Sequence, residues 1–222
     1  MSSFHIAGHD LHLLDAPGSD TVHVVAGEMN GDDYGFSRIA FRPGDVVVDV
    51  GAHVGIVSIW LAQRNPQIKV IAIEPEPTNL AYLRANIAAN HVDNVIVIPK
   101  AVTANGRSVQ IARPPINSGG AGLYYDQVEG YATSQVGSET LDAIFAEHVP
   151  HRCRLLKIDC EGAEHEILPA TQVLSRVDWL AGEFHINSRL TNQGLSNDAL
   201  VQHVSQFVNR DNIAVKCIAM GE

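Results

Sequence analysis

The stretch Asp45-Val46-Val47-Val48-Asp49-Val50-Gly51-Ala52-His53-Val54-Gly55 decides how this chain is read. Its unbroken β-branched run reads as a strand buried in a parallel sheet, and the glycines after it mark a turn where backbone passes close to a ligand. A second strand follows, Lys69-Val70-Ile71-Ala72-Ile73, and ends on Glu74-Pro75-Glu76, where a carboxylate suits a ribose diol. Between the two, Val54, Val57 and Leu61 recur at helical spacing and Asn65-Pro66 stops the helix, which completes one βαβ unit. Such units hold dinucleotides or S-adenosylmethionine. Dinucleotide sites usually carry G-x-G-x-x-G, whose second glycine lets a pyrophosphate reach a helix N-terminus. Here Ala52 and His53 stand between Gly51 and Gly55, so a cofactor without a pyrophosphate fits better.

Working outward, Pro43-Gly44 is a turn ahead of the first core strand. Residues 1–27 alternate short apolar stretches with Gly8, Pro17 and Gly18 and are expected to form a β-hairpin or two short strands, with an exposed loop over 27–35. After Glu74, Pro77 opens a helix with Leu80, Leu83 and Ile87 as its buried stripe, and Val95–Ile98 is a third strand. Asn105-Gly106 predicts a hairpin pairing 101–102 with 108–111. Residues 113–138, with Tyr124, Tyr125 and Tyr131, read as an inserted binding loop or as a packed insertion. A short helix at Leu141, Ile144 and Phe145 precedes a fourth strand, Leu155–Asp159, and Glu161-Gly162 opens another helix. Trp179–Ile186 is a fifth strand, Ser196 caps a helix running to about Val208, and Ile213–Ala219 is a last strand.

Repeated strand and helix with right-handed crossovers gives an α/β fold: a doubly wound, mostly parallel Rossmann-like sheet with helices on both faces and a short N-terminal β extension. We expect one domain, with 1–40 as extension and loop and 41–222 as core. The net charge of −10 argues against nucleic acid as a main partner. No apolar run reaches the ~18 residues needed to span a bilayer, so no membrane is expected. The three cysteines lack C-x-x-C spacing, which implies neither a disulfide framework nor structural zinc and is consistent with a cytoplasmic location. Oligomeric state is not legible.

In a doubly wound sheet ligands bind beyond the carboxyl ends of the strands, so Asp49, Glu74, Asp159, Glu183 and His185 are expected to share one rim. Glu183 and His185 lie two apart on one strand and share a face. Glu161 and Glu164 would lie on one side of a helix's first turn, where acids also serve the helix dipole. Lys157, inside an apolar strand, is expected to form a strand-end salt bridge or to position substrate.

Several segments resemble the FkbM family of S-adenosylmethionine-dependent methyltransferases: V-V-V-D-V-G-A-H-V-G-I-V-S at 46–58, I-A-I-E-P-E-P-T-N-L at 71–80 with Asn86 and Asn90 beyond, E-T-L-D-A-I at 139–144, L-L-K-I-D-C-E-G-A-E at 155–164 and, more weakly, G-E-F-H-I at 182–186. The resemblance implies a cofactor cradled by Asp49, Gly51 and Gly55, with Glu74 on the ribose hydroxyls and Pro75 and Glu76 near the adenosine edge. His53 stands where the family often has Asn, beside the methionine part of the cofactor. Pro99-Lys100-Ala101 replaces the acid that many related enzymes turn toward adenine, which leaves adenine to backbone or Val102. The antiparallel strand pair common at the C-terminus of this fold is not visible.

The reaction implied is O-methylation of a small-molecule hydroxyl, on a sugar or other secondary metabolite, with Asp159, Glu161 and His185 as catalytic candidates. A hydroxyl needs either a base such as His185 or a divalent metal, for which Asp159, Glu183 and His185 are the candidate ligands. Alternatives are a module that binds S-adenosylmethionine without turnover and, further off, a nicotinamide-dependent oxidoreductase.

Overall fold

The computed structural model describes residues 1–124 and 130–220; Tyr125 lies outside them. The chain runs β1 (Ser2–Ile6), β2 (His9–Leu13), α1 (Thr21–Asn30), β3 (Val46–Val50), α2 (Ile56–Arg64), β4 (Lys69–Ile73), α3 (Pro77–Ala89) and β5 (Val95–Ile98). It continues through β6 (Ala101–Val102), β7 (Val109–Arg113), β8 (Ala132–Val136), β9 (Ser138–Glu139), α4 (Leu141–His148), β10 (Cys153–Ile158) and α5 (Glu164–Ala170). Last come β11 (Val177–Ile186), α6 (Ser188–Thr191), α7 (Asn197–Val204) and β12 (Ile213–Ala219).

Six strands form one sheet in the order β12-β11-β10-β3-β4-β5. Every neighbouring pair in it is parallel, including β12 on β11. Side chains alternate across this sheet. Val48, Val50, Ile71, Ile73, Leu156 and Ile158 pack with Ile144, Phe145, Ile167 and Leu168 of α4 and α5. Val47, Val70, Leu155 and Ala181 pack on the other face with Val57, Ile59, Trp60 and Leu61 of α2, joined by Val22, Ala26 and Met29 of α1. Burial of each such Val, Leu or Ile is worth ~1.5–3 kcal/mol, so the two faces together make the continuous apolar strands stable only as central layers.

The N-terminal segment departs from expectation after residue 13. β1 and β2 do pair as an antiparallel hairpin. Residues 21–30, however, are helix, because Val22, Ala26 and Met29 make a buried stripe over the sheet face. The hairpin is held by two asparagines of α3. Asn90 accepts from the His12 N–H (2.9 Å) and donates to its carbonyl (2.7 Å), while Asn86 does the same for Leu14 and also reaches the Val54 carbonyl. These side chains act as a surrogate strand edge.

The Asn105-Gly106 hairpin does not form. β6 pairs in parallel with β9, and β7 pairs antiparallel with β8, so the turn at 105–106 joins strands of two different ribbons. Gly106 still takes the left-handed conformation the dipeptide favours, at φ 72°. The helix capped by Ser196 ends at Val204, short of Val208. Cys153, Cys160 and Cys217 are free thiols. No described helix is long and apolar enough to cross a membrane.

Candidate functional site

Two strand ends build one wall of a cavity of about 410 Å³. The turn after β3 passes through Gly51 at φ 80° and His53 at φ 53°, a left-handed conformation uncommon outside glycine. The cause at Gly51 is crowding: a Cβ there would lie 1.8 Å from the carbonyl oxygen of Asp159, so the turn can pass the end of β10 only without a side chain. The turn aims its backbone at the end of β4. The His53 N–H donates to Glu74 Oε2 (2.8 Å) and the Glu76 N–H to Glu74 Oε1 (2.9 Å). Burial pushes the Glu74 carboxyl up to about 7, against the pull of these two donors.

Gly51, Ala52, His53, Glu74, Pro75 and Asn79 line this end, with Lys100, Ala101 and Val102 completing it. Asn79 donates to the Ser118 carbonyl (2.8 Å), and its buried Oδ1 has no hydrogen-bond donor among the described residues. Ser118 lies behind this wall, between the lining residues Asn117 and Gly119. Its hydroxyl lies 2.6 Å from His53 Nε2, 2.7 Å from Asp15 Oδ1 and 2.9 Å from Ser19 Oγ, so it ties the inserted segment to the glycine turn and the N-terminal segment. Burial pushes the His53 imidazole down to about 4, against Asp15, which leaves the ring neutral.

On the side of β10 and β11, beyond β3 from β4, the lining is Lys157, Asp159, Glu161 and Glu183. Val24, Glu28 and Tyr34 line the cavity as well, with Glu28 and Tyr34 near enough to Glu183 to feel its charge. Asp49 and Lys157 are directly paired in register between β3 and β10. Lys157 Nζ lies 3.4 Å from Asp49 Oδ1, 3.4 Å from Asp159 Oδ2 and 3.0 Å from the Gly51 carbonyl. Burial opposes the ammonium, but Asp159 and Asp49 hold its pKa above the usual lysine range. The expected strand-end salt bridge of Lys157 is therefore present.

Several expected site residues do not face the cavity. Asp49 is fully buried and accepts from Ser58 of α2 (2.6 Å), so it joins helix to strand. Gly55 makes room for Leu83, whose Cδ1 would lie 2.5 Å from a Cβ there. Glu76 caps α3 by accepting from the Asn79 N–H (2.7 Å) and lies 3.7 Å from Arg113. His185 sits behind the wall, with Nε2 3.4 Å from Glu183 and Nδ1 3.5 Å from Glu164. Burial opposes its charge, yet the contacts to Glu164 and Glu183 push the imidazole up to about 11, so it is a cation and no free base.

Glu161 is not in a helical first turn. It takes φ 55° in the turn between β10 and α5, which begins at Glu164, and it lines the cavity. Asp159, Glu164 and His185 bring ligand-type atoms within 4.8 Å of one another, so the group that converges contains Glu164 in place of Glu183. Both Glu164 oxygens already accept backbone donors, Cys160 N–H (2.6 Å) and Gly162 N–H (2.8 Å), which fix the turn after β10. That donor set suits an ion-pair cluster better than a divalent ion. Of the loop tyrosines, Tyr124 packs away from the cavity, its hydroxyl donating to Glu166 (2.9 Å) with Arg189 over its ring.

Glu28, Tyr34, Asn79 and Ser118 were missed from the sequence. The spacing of Val22, Ala26 and Met29 was a readable helical signal that would have placed Glu28. Nothing local marked Ser118.

The model of the methyltransferase FkbM domain matches residues 49–207. The chain is 28% identical over 173 residues to the AMB antimetabolite synthetase AmbE of Pseudomonas aeruginosa, covering 61% of this chain and 8% of that protein. It is 37% identical over 83 residues to the 31-O-demethyl-FK506 methyltransferase FkbM of Streptomyces tacrolimicus, covering 34% of this chain and 32% of that protein. The chain thus spans a third or less of the length of either curated relative. Among solved structures it resembles an rRNA methylase from Streptococcus thermophilus, with TM-score 0.41, 14% identity, and 69% and 68% of the two chains covered.

Proposed function

The chain belongs to the FkbM methyltransferase domain family, and on that premise we propose that it transfers a methyl group from S-adenosylmethionine to a hydroxyl oxygen of a small molecule, a sugar or other secondary metabolite. One observation carries the reading. A carboxylate fixed by two backbone donors at the end of β4, Glu74, opens on the same cavity as Asp159 after β10 and Glu183 on β11.

The residues fit the cofactor. Glu74 would take the ribose hydroxyls, the Gly51–His53 turn the amino-acid tail, and Asn79 Oδ1, without a donor among the described residues, a ligand N–H or O–H. Bound there, S-adenosylmethionine supplies an electrophilic methyl on a sulfonium. The chain's task is then to align the acceptor and receive its proton. Alignment is worth ~7–11 kcal/mol in favourable cases, and a positioned base a further ~10²–10⁴-fold. We assign the proton to Asp159, whose carboxylate lines the cavity beside Lys157. Glu161 faces the same space, and Val24, Val25 and Ile116 offer the acceptor apolar surface. His185 acts as the fixed cation that holds Glu164 and Glu183 together, and no metal is needed in this reading. Transfer to oxygen is also what the name of the Streptomyces tacrolimicus relative states for that protein.

The test is calorimetric titration with S-adenosylhomocysteine, with Glu74→Ala as control and NADH as competitor, followed by an acceptor screen with labelled S-adenosylmethionine. Micromolar binding weakened by the substitution, then labelled product from a hydroxyl acceptor, is the expected result. Preference for NADH, or no binding by folded protein, overturns the reading; binding with no transfer to any acceptor favours a non-catalytic module.

A further inference from the structure

The end of the cavity away from Glu74 holds more carboxylate than its cations neutralise. Lys157 is shared by Asp49 and Asp159, His185 by Glu164 and Glu183, and Lys216 by Glu28 and Asp33. Glu28 and Glu183 both line the cavity. The Glu183 side chain is 10% exposed and uses Oε2 toward His185, while its buried Oε1 has no donor among the described residues. Glu28 accepts from the Tyr34 hydroxyl (3.0 Å) and from Lys216 (3.1 Å). Even so its carboxyl is held above the usual range, by burial first and by the charge of Glu183 next. A buried carboxylate oxygen without a donor is unfavourable unless a ligand supplies one.

Resting on the methyltransferase reading above, we propose that this end is a subsite for a protonated amine on the acceptor, seated at Glu183 Oε1 with Glu28 beside it. The acceptor class is then an amino alcohol or amino sugar whose hydroxyl takes the methyl group. The amine is the anchor and not the nucleophile, because an ammonium paired with a carboxylate has no free lone pair.

The sulfonium of the cofactor does not explain the surplus. Glu74 follows β4 and Glu183 lies on β11, with β3 and β10 between them. At ~4.8 Å per strand that is ~14 Å across the sheet, whereas a sulfonium one carbon from a ribose held at Glu74 would fall short of Glu183. The remaining source of positive charge is the ammonium of the cofactor's amino-acid tail, which the experiment separates.

Full-length protein is first titrated with S-adenosylhomocysteine; failure to bind removes the methyltransferase reading itself. The saturated complex is then titrated with glucosamine and trans-2-aminocyclohexanol and with their N-acetyl forms, followed by calorimetry and by amide chemical shifts. The free amines are expected to bind roughly tenfold or more tightly than the acetylated forms, the scale of one hydrogen bond to a charged group. Glu183→Gln should abolish that preference while S-adenosylhomocysteine affinity is retained, and Glu28→Gln, which leaves Glu183 in place, should reduce it. No amine binding at tens of millimolar, equal binding of amine and amide, or a preference untouched by both variants overturns the proposal. So does a Glu183→Gln protein that loses S-adenosylhomocysteine affinity, since the cofactor's tail would then own the subsite.

Discussion

The backbone N–H of His53 donates to Glu74 Oε2 at 2.8 Å, so the turn after β3 and the acid after β4 are one unit. Removing the carboxylate therefore removes the proposed ribose contact and the anchor of a left-handed turn together. Glu74→Ala is expected to lower S-adenosylhomocysteine affinity more than Glu74→Gln, which keeps one acceptor oxygen. Calorimetry on both variants checks the order.

Glu74 also sets a pH dependence. Its carboxyl is pushed up to about 7 from an ordinary 4.5, so the folded protein binds a proton that the unfolded chain has released. The sign follows: its contribution to stability falls as pH rises from about 4.5 through about 7. Ribose hydroxyls favour the ionised form, so S-adenosylhomocysteine affinity should rise with pH over the same window and binding should release protons near neutrality. Titrations in buffers of different ionisation enthalpy measure that release; proton uptake would contradict it.

Lys157 and Asp159 should separate stability from turnover. Lys157 is buried between Asp49 and Asp159, so Lys157→Met leaves carboxylates without their cation and should cost about 3–5 kcal/mol, read as a lower urea midpoint. Asp159→Asn removes the proposed base and should lower kcat by ~10²–10⁴-fold, with S-adenosylhomocysteine affinity little changed.

His185→Gln should behave as a loss of a buried cation. Raised to about 11, the imidazole stabilises the fold fully below its ordinary 6.5, and that contribution fades only as pH climbs toward 11. The variant should therefore unfold at lower temperature throughout the neutral range, and the wild-type rate should show no step near 6.5 that the variant lacks. A rate loss without a stability loss would restore His185 as a base. EDTA should leave wild-type turnover unchanged.

Ser118 ties Asp15, Ser19 and His53 to the inserted segment. Ser118→Ala leaves those buried groups facing one another without the hydroxyl, at about 1–3 kcal/mol. Faster S-adenosylhomocysteine dissociation in stopped flow is the expected outcome.

Local patterning alone was enough to settle the parallel layers and the rim at which a ligand would sit. Val46–Val50 and Lys69–Ile73 are apolar enough to be buried on both faces, and an acid ending the second strand of a βαβ unit can only sit at the carboxyl rim. Local pattern carried that much because periodicity and turn chemistry act over a few residues.

Which polar groups face the cavity was decided in three dimensions. Asp49 and Glu76 looked like ligands and became a helix anchor and a helix cap, because Ser58 and the Asn79 N–H reach them first. Gly51 looked like a ligand approach and proved also to yield to the Asp159 carbonyl. Asn86 and Asn90, family signatures in the sequence, hold the N-terminal hairpin. Glu28 entered the lining, and Ser118 the hydrogen bonds behind His53, from segments far away along the chain. Charge pairing and hydrogen bonding are settled by whichever donor arrives in space, and that depends on the packing of every other element.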